Sequence, residues 1–170
     1  MNRRVLASAI AGLLALGLPL SATAAPGPWN TYQNARFGYS VAYPADLLAP
    51  LPEAANGDGR HFQPRRGHAD VAVWAGYDAT GQSLGALADE AEQGCVGGHA
   101  SYRVVRDAKA PPFMAVSCAR PGGAVFYTKA LRCKDVTTEI EFTYPNTESA
   151  TWDPVVARMS ASLSAGCGAG

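Results

Sequence analysis

The feature that most constrains this fold is a run of alternating apolar and polar residues between positions 101 and 144, interrupted only by short turns. Such alternation is typical of strands that bury one face. It predicts four strands, over residues 101–107, 113–119, 124–133 and 136–144. Successive strands joined by short turns must run antiparallel. This half of the chain therefore predicts an antiparallel sheet.

The first half of the chain adds further strands. Strands are predicted over residues 29–32, 37–43, 60–63 and 70–77, the second and fourth from their alternation. The second of these places Phe37, Tyr39, Val41 and Tyr43 on one face. Residues 46–52 combine leucines with prolines, which predicts an irregular crossing instead of a strand.

Two helices complete the predicted fold. Ser83 is placed to cap the first helix, and Asp153-Pro154 to begin the second. Their apolar stripes are Leu84, Leu87, Ala88 and Ala91 in the first helix and Val155, Val156, Met159 and Leu163 in the second. Two helices cannot cover both faces of such a sheet, so we expect both on one side. The class is α+β, an antiparallel sheet packed with two helices in a two-layer sandwich.

The N-terminus has the pattern of a cleavable secretory signal. Arg3 and Arg4 precede an apolar stretch that ends at Leu20, and small residues then lead to Ala24, where we place the cut. The alternative, a membrane anchor, needs roughly 20 apolar residues, more than this stretch has. The pattern predicts a signal peptide over residues 1–24, exported by the general or the twin-arginine route. A single domain then covers residues 25–170, with a flexible tail from about residue 164.

The charge balance argues against a nucleic-acid partner. The chain has 14 basic and 14 acidic side chains, and Arg3 and Arg4 leave with the leader. The remainder has a small acidic excess, whereas nucleic-acid-binding domains need a basic face. The same balance provides no attraction to anionic lipid. We therefore expect no nucleic-acid partner and no stable membrane insertion after cleavage.

Four cysteines follow the predicted leader, at Cys95, Cys118, Cys133 and Cys167. An even number in an exported chain favours two disulfides and a periplasmic or secreted location. Free buried thiols and a zinc site are the alternatives. The zinc site is disfavoured because no two cysteines have the short spacing of structural zinc ligands.

The predicted hairpin geometry selects one pairing. With a turn at residues 120–123, Cys118 lies opposite about Val125, and Cys133 is roughly 26 Å further along that strand. A disulfide requires Cα atoms within about 7 Å, which excludes Cys118–Cys133. The loop at Cys95 lies at the same end of the sheet as Cys118, and the last helix returns Cys167 toward Cys133. We predict Cys95–Cys118 and Cys133–Cys167.

Several segments resemble one known family. The segment Arg36-Phe37-Gly38-Tyr39-Ser40-Val41-Ala42-Tyr43-Pro44 resembles the opening strand of PsbP-like domains. The turn at residues 56–59 and the ending Tyr144-Pro145 with Asp153-Pro154 are similar to those of exported bacterial proteins with this fold. The fold also occurs in photosystem extrinsic subunits and in a Ran-binding import factor. The resemblance, over residues 29–163, implies an antiparallel α+β sandwich with an accessory role outside the cytoplasm. It carries no catalytic residues across, since members of the fold share binding and differ in partner.

Two groups of side chains are candidates for chemistry. His61, His68 and Asp70 are near one another in sequence and could converge on a metal ion in a small hydrolase or metal-dependent enzyme. Their spacing matches no known ligand pattern, so solvated turn residues are the simpler interpretation.

The second group is aromatic. Tyr39, Tyr43, Trp74 and Tyr77 could form a binding patch on the sheet face or in a cleft beside it. Core packing is the alternative for each of them. The resulting hypothesis is an exported, non-catalytic accessory or binding domain of the cell envelope. It needs no cofactor, and its partner is a protein or a small ligand, such as an apolar molecule held between sheet and helix.

Overall fold

The structure is a computed structural model that describes residues 27–108 and 111–167. The predicted signal peptide, residues 1–24, lies outside the described residues. No helix within the described ranges is long and apolar enough to cross a membrane.

The described residues form nine strands, two α-helices and two short 3₁₀ helices. The strands are β1 Trp29–Gln33, β2 Ser40–Pro44, β3 Leu48–Pro50, β4 Gly59–Pro64, β5 Asp70–Tyr77, β6 Tyr102–Arg106, β7 Phe113–Arg120, β8 Ala124–Cys133 and β9 Val136–Pro145. The helices are α1 Leu84–Gln93 and α2 Ser149–Ser162, and the 3₁₀ helices are Val96–Gly98 and Asn146–Glu148. The sequence predicts an irregular segment over residues 46–52, but the structure has the short strand β3 there.

Seven strands form one sheet in the order β3-β4-β5-β9-β8-β7-β6, and every neighbouring pair is antiparallel. Strands β1 and β2 form a separate two-stranded sheet. The predicted antiparallel α+β fold is confirmed. Strands β6, β7, β8 and β9 form successive hairpins in the predicted order. Strand β5 pairs with β9, which is far from it in the sequence.

Strand β9 lies at the centre of the sheet, and its side chains alternate between the two faces. Val136, Ile140, Phe142 and Tyr144 point to one face and are buried in the main core. The hairpin β1–β2 and helix α2 cover this face. Phe37 and Tyr39 also enter this core although they precede β2, which is shorter than the predicted strand over residues 37–43.

Helix α1 lies on the opposite face, so the expectation that both helices share one side is wrong. Leu84 and Ala88 of α1 pack on Met114, Val116 and Ala130, a cluster separate from the main core. In the antiparallel register Met114 pairs with Ala130 and Ala130 with Glu139. These residues therefore share the face that Ile140 does not occupy.

Helix α2 begins before the predicted Asp153-Pro154 start. It starts at Ser149 after a 3₁₀ turn, which leaves Pro154 within the helix. Trp152 is 1% exposed and its Nε1–H donates to Glu148 Oε2 at 2.9 Å. The helix therefore extends ahead of the proline, against the local preference for proline at the first position.

Both predicted disulfides are present. Cys95–Cys118 has a Cα–Cα distance of 5.7 Å, and Cys133–Cys167 one of 5.0 Å. The tail was expected to be flexible from about residue 164, but residues 164–167 are held. The Ser164 amide donates to Ser40 O at 2.9 Å, and the Gly166 amide to Thr138 Oγ1 at 2.8 Å.

A buried asparagine fastens the β1–β2 hairpin to the loop before β4. Asn34 is fully buried, and its Nδ2 lies 2.7 Å from Glu53 Oε1 and 2.9 Å from Gly57 O. Its Oδ1 accepts the Phe37 amide at 2.7 Å. One amide side chain thus satisfies polar groups of two separate loops, which a buried polar residue must do to be stable.

We expect Asn34→Ala to lower the free energy of unfolding by about 2–3 kcal/mol, because it leaves the Phe37 amide and Gly57 carbonyl without a partner. Urea unfolding followed by tryptophan fluorescence measures this loss. The neighbouring Gln33→Ala removes an exposed amide and is the control. Equal stability of the two variants would contradict the bridging role of Asn34.

The two disulfides should differ in their rate of reduction. Cys95 and Cys118 are 7% and 2% exposed, whereas Cys167 is exposed and Cys133 half-buried. Because thiol–disulfide exchange needs access to a sulfur, a graded phosphine reduction of the folded protein should open Cys133–Cys167 first. Alkylation and peptide mapping would then label Cys133 and Cys167 at low reductant. Earlier labelling of Cys95 and Cys118 is the contrary result.

Candidate functional site

One face of the central strands β5 and β9 is not covered by a helix. Helix α1 packs over β6, β7 and β8 and stops short of β9. The residues of β5 and β9 that lie between α1 and β4 on this face form what we call the open face. It consists of Ala72, Trp74, Gly76, Thr137, Glu139 and Glu141, of which Thr137 is buried. It is opposite the main core.

The open face forms the floor of a shallow trough. Three adjoining depressions of about 460, 260 and 330 Å³ lie along it. The first two meet at Trp74, and the last two meet at Glu139 and at Leu87 of α1. The loop at residues 51–54 borders one side and α1 borders the other. The trough is therefore a continuous surface that crosses β4, β5 and β9.

The trough is acidic at its centre. Glu139 is half-buried, and its burial together with the charges of Glu141 and Glu90 raises its pKa to about 7, against the opposing effect of Arg132. Burial also raises the pKa of Glu141, with a contribution from Asp70, although Arg120 opposes the shift. Among the residues that the structure describes, none makes a hydrogen bond or a salt bridge to the carboxylate of Glu139 or Glu141.

Two arginines line the trough beside these carboxylates and are also engaged with their own surroundings. Arg132 pairs with Asp78 at 3.1 Å and donates to Gln82 O at 2.6 Å, which holds the turn between β5 and α1. Arg120 stacks over the Phe126 ring at 3.8 Å. The Arg120 Nε is buried and has no partner within the described part of the chain.

The structure divides the four residues of the predicted aromatic patch. Tyr39 and Tyr43 are buried in the main core, and Tyr39 OH donates to Asp58 O at 3.0 Å. Tyr77 is 56% exposed but packs on Phe37, on the core side of β5. Trp74 alone lies on the open face. Tyr39 and Tyr43 are therefore core residues and not part of a surface patch.

The predicted histidine cluster is brought together only in part. His61 Nδ1 lies 3.1 Å from Asp70 Oδ1, at the rim of the trough, and both side chains are well exposed. His68 is directed elsewhere and lies 3.1 Å from Glu148 Oε1. Within residues 27–108 and 111–167, no three His, Cys, Asp or Glu side chains could hold a metal ion together.

A separate depression, which is not part of the trough, lies on the core side of the sheet between α2 and the outer strands. It has about 480 Å³ and is lined by Tyr102, Tyr127, Ser117 and Val156 among others. Tyr102 is 54% exposed.

Sequence reasoning did not find Glu139 and Glu141, although a signal for them exists. In the segment from Val136 to Tyr144 the apolar residues occupy one phase and the two glutamates the other. Period-two alternation places both carboxylates on the face opposite the core. The neighbours that limit their solvation, in β5, β8 and α1, come from other parts of the chain.

Comparison with known proteins identifies the fold. No protein-family model and no curated protein matches the chain. The structure is similar to the solution structure of cyanobacterial PsbP (CyanoP) from Synechocystis sp. PCC 6803, with a TM-score of 0.59 and 11% sequence identity. The similarity covers 88% of this chain and 98% of that chain. The chain therefore has a PsbP-like fold.

The raised pKa of Glu139 predicts a pH-dependent stability. The folded protein binds this proton up to about pH 7 and the unfolded chain only up to about 4.5, so stability is lost as pH rises through that window. Above about pH 7, Glu139→Gln should therefore stabilise the fold by about 1–2 kcal/mol, allowing for partial exposure. Below about pH 4.5 the wild type and the variant should be equal.

Urea unfolding across this pH range measures the difference. Asp46→Asn, at an exposed carboxylate remote from the trough, is the control and should show no such trend. A constant difference between Glu139→Gln and the wild type at every pH would contradict the assignment.

Proposed function

We propose that this chain is an exported, non-catalytic accessory protein of the cell envelope that binds its partner through the open face. The observation that carries the proposal is Trp74, half-buried beside two carboxylates to which no described residue makes a hydrogen bond or salt bridge. Carboxylates held partly away from water without a directly bound partner lower stability. A binding surface is a reason to retain them.

Export is supported by the leader pattern over residues 1–24 and by the two disulfides. Disulfides of this kind persist in oxidising compartments. We infer a periplasmic or secreted location, with residues 25–170 as the functional domain. The PsbP-like fold agrees with an accessory role, since the resemblance described above implies binding and not catalysis.

The alternative is a small hydrolase or metal-dependent enzyme that uses His61, His68 and Asp70. Catalysis requires a general base held in a defined geometry, commonly by a third group. His61 and Asp70 form a solvated pair, and His68 is bound to Glu148 instead. The arrangement of these side chains favours the binding proposal.

Partner retention tests the proposed function. The wild-type protein, Trp74→Ala and Tyr102→Ala are each immobilised and exposed to envelope extract, and the retained species are identified by mass spectrometry. Tyr102→Ala is the matched control, because it removes an exposed aromatic ring outside the open face. We expect one defined species on the wild type and on Tyr102→Ala, reduced about tenfold on Trp74→Ala.

Two results would overturn the proposal. Equal retention by all three proteins would exclude the open face as the binding surface. Turnover of an ester or peptide substrate that is abolished by His61→Ala would establish an enzyme instead. Circular dichroism of Trp74→Ala confirms that the variant is folded.

A further inference from the structure

We propose that strand β6, Tyr102–Arg106, pairs antiparallel with β6 of a second copy of this chain, about a twofold axis at Val104. The seven-stranded sheets of the two copies then form one continuous sheet. This inference goes beyond the proposed function, because β6 lies at the edge of the sheet whereas the open face lies on β5 and β9. The two surfaces share no residue.

Strand β6 is an edge strand to which a further strand can be added. It is last in the order of the sheet, and among the described residues it pairs with β7 alone. The opposite edge, β3, has three residues and ends at Pro50, which has no N–H to donate. Strand β6 has five residues and no proline. Of the two edges, β6 is therefore the one that can extend the sheet.

The hydrogen bonds of the sheet determine which backbone groups of β6 face outward. The Arg132 amide donates to the oxygen of Pro112, which directly precedes β7, at 2.9 Å, so the even-numbered residues of β7 turn their backbone groups toward β8. The odd-numbered residues of β7 turn theirs toward β6, where they pair with even-numbered residues. The N–H and C=O groups of Arg103 and Val105 therefore face away from β7. They have no backbone partner in the described part of the chain.

A twofold axis between two antiparallel strands places one residue opposite its own copy. With Val104 on the axis, all five residues of β6 have a partner in the second strand. Arg103 then lies opposite Val105 of the second copy, and the two residues exchange both of their N–H···O=C bonds. The same pair occurs again on the other side of the axis. This register therefore satisfies every outward backbone group of Arg103 and Val105.

The charges of β6 select this register over its neighbours. With Arg103 on the axis, two guanidinium groups would lie opposite each other, which is unfavourable. With Val105 on the axis, only residues 104–106 of the strand would be paired. With Val104 on the axis no two charged side chains are opposed, and Arg106 lies opposite the exposed ring of Tyr102 of the second copy. The strand is thus complementary to itself in one register.

Arg106 also shows how the edge is occupied in a single copy. Its Nη1 donates to the outward oxygen of Val105 at 3.3 Å, a long hydrogen bond on an exposed side chain. In the paired strands the Arg103 amide of the second copy takes this position. The Arg106 guanidinium is then free to contact the facing tyrosine ring.

Val104 provides the apolar contact at the axis. It is half-buried, lies on the core side of the sheet and belongs to none of the hydrophobic clusters of the described residues. In the proposed dimer the two Val104 residues form a non-hydrogen-bonded pair, in which the Cα atoms are about 4.5 Å apart and the side chains are close. Removal of this apolar surface from water favours association.

The association should be weak and reversible. A contact through one pair of strands belongs to the small interfaces, below about 1,200 Å², that are typical of transient complexes. We therefore expect a dissociation constant on the order of 100 µM. Sedimentation velocity of the folded, disulfide-bonded protein should show a change from monomer to dimer between about 10 µM and about 1 mM.

Two charge variants test the position of the axis. Val104→Lys and Val104→Glu each bring two like charges together at the axis, and each should weaken self-association about tenfold. An equimolar mixture of the two variants should associate about as strongly as the wild type, because opposite charges then meet. Recovery in the mixture also shows that both variants are folded.

Thr31→Lys and Thr31→Glu are the matched controls. Thr31 is an exposed, β-branched residue of β1, which pairs with β2 in the other sheet. These variants add the same charges to a strand away from β6. They should self-associate as the wild type does, alone and mixed.

Three outcomes would overturn the inference. The first is a wild type that stays monomeric at about 1 mM, even if its edge captures a different polypeptide. The second is unchanged self-association of both Val104 variants, and the third is a mixture of these variants that stays monomeric. The Val104 variants leave the open face intact, as does Tyr102→Ala, so all of them should retain the partner of the open face whatever their state of association. Partner retention therefore tests the proposed function independently.

Discussion

The alternation of strand β9 is the constraint on which the rest of the structure depends. Its odd and even positions differ in chemistry, with Ile140 and Phe142 on one side and Glu139 and Glu141 on the other. Because β9 is the middle strand of seven, its apolar side must be buried and its charged side must keep contact with water. One face of the sheet therefore carries the core, and the other carries the candidate site.

The two helices take their positions from this division. Helix α2 and the β1–β2 hairpin cover the apolar face, where Trp152 and Tyr39 fill the core. Helix α1 lies on the other face only where β7 and β8 present apolar side chains such as Met114 and Ala130. Beyond them, the charged side chains of β9 stop further coverage. The trough is therefore the part of the sheet that no helix can cover without burying carboxylates.

The candidate site was only partly accessible to sequence reasoning. The sequence places Trp74 in a predicted aromatic patch, together with Tyr39 and Tyr43, which are core residues. Sequence alone does not distinguish an aromatic residue of a core from one of a binding face. His61 and Asp70 meet because β4 and β5 form a hairpin, whereas His68 is directed away by Glu148, which is 80 residues distant. Contacts between residues so far apart in sequence depend on how the strands are ordered in space.

The sequence by itself determined the α+β class, the antiparallel β6–β9 hairpins and the disulfide pairing, because period-two alternation, short turns and chain reach are local or nearly local properties. The tertiary structure alone decided that β5 joins β9, that α1 and α2 lie on opposite faces, and that Trp74 meets Glu139. These features depend on long-range packing. The free energy of burying one face against another is a property of the assembled sheet, and no single segment encodes it.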